Sequence, residues 1–163
     1  IAVYMEGFVV DPVEPGRFTF TGWANTERFD QLMSASARVG LAPLPALVYA
    51  TPQELINTST DATLTYYAQL WVLVHFLRDG EGGRYRKGLF TSLADAAAAP
   101  TQLAEGEVSP QVQAKRAVKF FERYFGTSPA EMQRGYERYL DLLLTDAAGA
   151  KVARGEAPID TRP

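Results

Sequence analysis

The sequence predicts a mainly α-helical domain with a minor β element, and three observations carry that prediction. Ser-Pro and Thr-Pro pairs open stretches of helix length, and glycines close most of them. The stretch from Asp61 to Arg78 is apolar almost all the way round, which marks a helix buried on every side. Only one short segment, RFTFT at residues 17–21, alternates polar and apolar residues as a strand does.

The elements follow in order. Residues 2–10, AVYMEGFVV, form a short apolar segment, read as helical, that ends at the turn-rich DPVEPG. Asn25 or Thr26 caps a helix running to about Val39 and closed by Gly40. The prolines of LAPLPALVYA allow at most one helical turn there, and Thr51, Pro52 and Glu54 start another short helix. Asp61 is the expected cap of the central helix, which DGEGG stops after Arg78. A further helix runs from Tyr85 to about Ala99, followed by a loop around Gly106 to Pro110. Ser109 and Pro110 open the next helix, to Phe125, with Gly126 as its stop. Ser128 with Glu131 three residues on is a capping box for the last one, to about Leu144. Residues 1–145 thus read as one helical domain, and residues 146–163, which lose hydrophobic periodicity, as a polar tail or linker.

Composition narrows the chemistry. At 163 residues and 17.9 kDa the chain suits one domain, and 47% hydrophobic with 21% charged residues excludes disorder throughout. A net charge of −3 and a pI near 5.2 argue against a nucleic-acid partner. The absence of cysteine excludes disulfides, thiolate–zinc sites and thiol nucleophiles. A single histidine excludes any mechanism that needs two from this chain. No run approaches the roughly 18 apolar residues of a membrane span; the best, Leu70 to Leu77, is short and contains His75. Ile1 opens the chain without a methionine and is expected to be an internal point of a longer parent.

Several tempting residues have structural readings. His75, among Val72, Val74, Phe76 and Leu77, reads as a core histidine whose ring nitrogens find a backbone or hydroxyl partner. Phe120, Phe121, Tyr124 and Phe125, and then Tyr136 and Tyr139, stand at spacings that fill helix faces. Arg84, Arg86 and Lys87 read as a solvated face that could also hold an anionic partner. Gly80, Gly82 and Gly83 follow a helix rather than a strand, so they are no phosphate loop.

Two positions are more specific. Glu6 sits among Val3, Met5, Phe8 and Val9, where a carboxylate is expensive unless a positive group compensates it or it emerges on an exposed side. Tyr67 opens the central helix on the face of Trp71, Val74 and Arg78, where it packs or aims its hydroxyl into a cleft.

At these positions the chain resembles the gluzincin metallopeptidases. MEGF is similar to their NEGFA-type segment, and YAQLWVLVHFL to their tyrosine-led helix. With FFERYFGTSPAEMQRGYERYL following, the order looks still more like the bacterial peptidase-MA-like domains of unknown function, over about residues 3–142. The resemblance implies the helical C-terminal part of a gluzincin-like metallopeptidase domain. It implies Glu6 as a zinc ligand, Tyr67 as the catalytic donor to the oxyanion, and peptide or protein substrates. A zinc-activated water would be the nucleophile, with its pKa lowered by the metal.

The departure from the family is that HExxH is absent, and in the family it precedes the ligand glutamate closely. The expectation is therefore a peptidase part that is inactive alone, completed by an HExxH upstream of Ile1. The alternative is a non-catalytic helical binding or scaffolding module with a degenerate peptidase fold. The resemblance leans towards a bacterial and exported setting.

Overall fold

The computed structural model describes residues 8–10, 14, 17–20, 22–38, 40–50, 59–98 and 109–159, with residues 8–10 and 18–20 described by their backbone alone. Two short strands lead into a helical body, so the mainly α reading holds. β1 (Phe8–Val10) pairs antiparallel with β2 (Phe18–Phe20) in the register Phe8↔Phe20, Val9↔Thr19 and Val10↔Phe18. This corrects the helical reading of residues 2–10 at its end: Phe8, Val9 and Val10 are aromatic and β-branched residues with a strand partner close by in sequence. Glu6 and the short helix expected from Thr51 lie outside the described residues.

α1 (Thr26–Arg38) is capped by Asn25, whose side-chain oxygen accepts from the Arg28 N–H at 3.2 Å. Its buried residues Phe29, Leu32 and Ala35 repeat every three positions and make one inward face. α2 (Leu44–Tyr49) is longer than the single turn that the prolines suggested, because Pro43 and Pro45 fall at its N-terminus, where no N–H is needed.

α3 (Thr60–Gly83) is the central helix. Ser59, two residues before the expected Asp61, caps it by accepting from the Ala62 N–H at 3.1 Å. Trp71, Val72 and Phe76 are fully buried, and α3 packs against α1, α2, α4 (Arg86–Ala98) and α6 (Pro129–Leu143). Burying each such side chain is worth about 1.5–3 kcal/mol. Regular geometry stops at Gly80, where a Cβ would collide with the Phe76 ring, and Glu81 at φ 49° turns the chain towards α4.

α5 (Pro110–Phe125) is capped by Ser109 and closed by left-handed Gly126, and α6 carries the Ser128–Glu131 capping box, all as the sequence predicts. α4 lies against α5 at Gly88, and α2 bridges α5 and α6. The rings of Tyr136 and Tyr139 from α6 meet Phe76 at 5.6 and 5.5 Å in the centre. Phe120 departs from the core reading and is 43% exposed.

The expected tail from residue 146 is corrected over its first half. Thr145 caps α7 (Asp146–Val152), which lies against α1 and α6 and buries Ala148 and Val152. Gly149 approaches Phe29 of α1 so closely that a Cβ would stand 2.8 Å from the ring. Two small apolar anchors in seven residues are too few to produce a visible period, and packing supplies the rest.

Candidate functional site

α3 has a locked half and an open half. In the locked half, His75 is fully buried and stacks on Trp23 with ring centroids 3.5 Å apart and planes 23° from parallel. Its Nε2 lies 2.9 Å from the Gly22 carbonyl oxygen, which also accepts from the Trp71 indole N–H at 3.2 Å. Two side chains one turn apart on α3 thus grip the residue that follows the β-hairpin. Burial drives the His75 pKa down to about 3, against smaller upward pulls from the Gly22 carbonyl and Asp79. His75 is therefore a neutral core residue, as its neighbours in sequence suggested.

The open half begins at Ser59 and carries Tyr66 and Tyr67. Tyr67 is half-buried, with the Arg28 guanidinium of α1 5.9 Å from its ring centroid and the Tyr66 ring at 5.8 Å. That places the predicted catalytic tyrosine between α1 and α3, near a fixed cation. With Glu6 outside the described residues, nothing relates its position to that of Tyr67.

The concave feature of this end is lined by Tyr66 rather than Tyr67. A cavity of about 460 Å³ lies between α1, α2 and the first turns of α3. Ala35, Ala46, Leu47 and Ala62 make much of its wall, Arg38 and Asp61 are exposed at its edge 3.9 Å apart, and Tyr66 and Gln69 reach it from α3. Gln69 is buried and holds the chain before α2 in both directions, accepting from the Ala42 N–H at 3.1 Å and donating to the Ala42 carbonyl at 2.9 Å. On the far side of α2, the Leu44 N–H donates to the Gln133 side chain at 2.5 Å. These contacts, 27 and 89 residues apart in sequence, fix the cavity wall.

The Tyr66 hydroxyl donates to the Ala50 carbonyl at 3.5 Å, and its pKa is raised by burial and by neighbouring Tyr67. Sequence reasoning passed over Tyr66, although its helical neighbours Ala62, Thr65 and Gln69 share the same face and line the same cavity.

A second polar centre closes the α3–α4 corner. Asp79, largely buried, is paired with Arg78 and with Arg86 at 3.2 Å. Glu81 accepts from Tyr85 at 3.0 Å and from Arg138 of α6 at 2.9 Å, its carboxylate lying over Gly135. These bonds tie α3, α4 and α6 together, so this corner is a structural clasp.

Among the described residues, no three His, Asp or Glu side chains come together as a metal-binding group. With His75 committed to the core, the described residues do not by themselves fit a zinc site. Compared with known proteins, the chain matches no family model, no curated protein and no solved structure.

Proposed function

We propose that the chain forms the helical C-terminal part of a zinc-dependent peptidase, in which Glu6 is one metal ligand and Tyr67 donates a hydrogen bond to the carbonyl oxygen of the scissile bond. The histidines of such a site come from outside these 163 residues. The observation that carries this reading is the pairing of Tyr66 and Tyr67 at the open end of a rigidly held helix, beside an apolar cavity large enough for a substrate side chain. A peptidase needs both a donor fixed by its scaffold and a pocket that seats the substrate next to it.

The test uses the protein as its organism makes it, assayed for zinc content and peptide hydrolysis. Tyr67→Phe should lower turnover about 100-fold or more with zinc retained, as removal of a comparable oxyanion donor does. Glu6→Gln should lower zinc occupancy. Unchanged turnover in the first variant, or full occupancy in the second, refutes the assignment of that residue.

A second reading rests on the same cavity. Its apolar wall seats an apolar side chain without any reaction, as a binding or scaffolding module would. Peptide binding without hydrolysis, weakened by filling the cavity with Ala46→Trp and indifferent to Tyr67→Phe, would establish that reading instead.

A further inference from the structure

The charge of this acidic protein is unevenly distributed. The turn residues 84–85 together with α4 and α5 carry seven cations (Arg84, Arg86, Lys87, Lys115, Arg116, Lys119 and Arg123) and two acids, Asp95 and Glu122. That is a net +5, against −8 on the remainder of a chain whose total is −3. All seven cations are exposed. Lys87, Lys115, Arg116 and Lys119 form no ion pair among the described residues.

The same two helices hold three of the four large apolar residues found exposed among the described residues: Phe90 at 55%, Phe120 at 43% and Val112 at 41%. On α5, Val112, Arg116, Lys119, Phe120 and Arg123 fall at i, i+4, i+7, i+8 and i+11, a single stripe without an acid. This stripe continues onto α4. The Phe120 ring lies 4.8 Å from Tyr124, and Tyr124 and Arg123, both bonded to Asp95 of α4, share a groove of about 330 Å³ with Arg84, Lys87 and Thr91. Lys87 and Thr91 in turn border Phe90.

From this continuity we propose that the α4–α5 face docks on an anionic lipid surface, with Phe90 and Phe120 entering the headgroup layer and the lysines and arginines facing the lipid charge. The combination distinguishes this partner. A solvated face has no use for exposed phenylalanines, and a soluble acidic partner needs the cations more than the rings. Interfacial binding uses both, since apolar area and attraction to anionic lipid add. The proposal is independent of the peptidase reading and involves a different part of the molecule.

Co-sedimentation with phosphatidylcholine vesicles, with and without phosphatidylglycerol, tests it. The protein should bind only the anionic vesicles, and less as salt rises. Lys87→Gln with Lys119→Gln should lower the partition coefficient about thirty-fold. Phe90→Ser with Phe120→Ser should also release the protein from vesicles while leaving its binding to soluble polyglutamate unchanged. Phe90→Ser alone, at the more exposed ring, keeps the test decisive if the double variant unfolds. Equal binding to neutral vesicles, no binding to anionic ones, or undiminished binding by the phenylalanine variants would overturn the proposal. The last outcome would assign the face to an acidic protein.

Discussion

Lowering the pH from 7 to 5 should cost the fold about 2 kcal/mol through His75 alone. The ring is sealed between Trp23 and Trp71 with Nε2 at the Gly22 carbonyl, and its pKa in the folded state is about 3, against 6.5 for a histidine in water. Because the folded value is the lower one, the unfolded chain binds the extra proton throughout the window between them. Stability from this source is therefore fully present above pH 6.5 and drains away as pH falls towards 3. Urea unfolding of the parent and of His75→Gln at a series of pH values isolates the effect, since carboxylates titrate alike in both. The parent should lose about 2 kcal/mol more than the variant between pH 7 and 5. Because His75 is the chain's only histidine, its ring resonances also report the folded-state titration directly. Parallel pH profiles for the two proteins, or a folded-state midpoint near 6.5, would refute the description of His75 as a desolvated core residue.

Two further substitutions probe the helix contacts. A Cβ at Gly88 would collide with the Tyr124 carbonyl oxygen, so Gly88→Ala should force α4 and α5 apart and lower the melting midpoint by about 4–8 °C; an unchanged midpoint would mean that the helices are not in this contact. Ser128→Ala removes half of the capping box at the start of α6 and should cost about 1 kcal/mol in urea unfolding, whereas Ser128→Asp should restore most of it.

What the sequence made legible was mostly local. Ser109-Pro110, Gly126 and Ser128-Pro129-Glu131 act through bonds to neighbours within four residues, so their patterns are readable without a fold. The core role of His75 was legible because every flanking position is apolar. Features set by distant partners were not. α7 exists because Phe29 and its neighbours on α1 receive it. That Tyr66 rather than Tyr67 lines the cavity was hidden for the same reason. The cavity is made by α2, whose position depends on Gln69 and Gln133, and no pattern around residue 67 reveals that.

The central functional claim is that Glu6 and Tyr67 face one cleft, and the absence of native cysteines makes it directly measurable. In a Glu6→Cys, Tyr67→Cys double variant, a short bifunctional maleimide should join the two thiols within one molecule, rapidly and in high yield, while either single variant gives no internal link. A folded double variant that takes up reagent at both positions yet forms no intramolecular cross-link would contradict the shared site, and with it the peptidase reading.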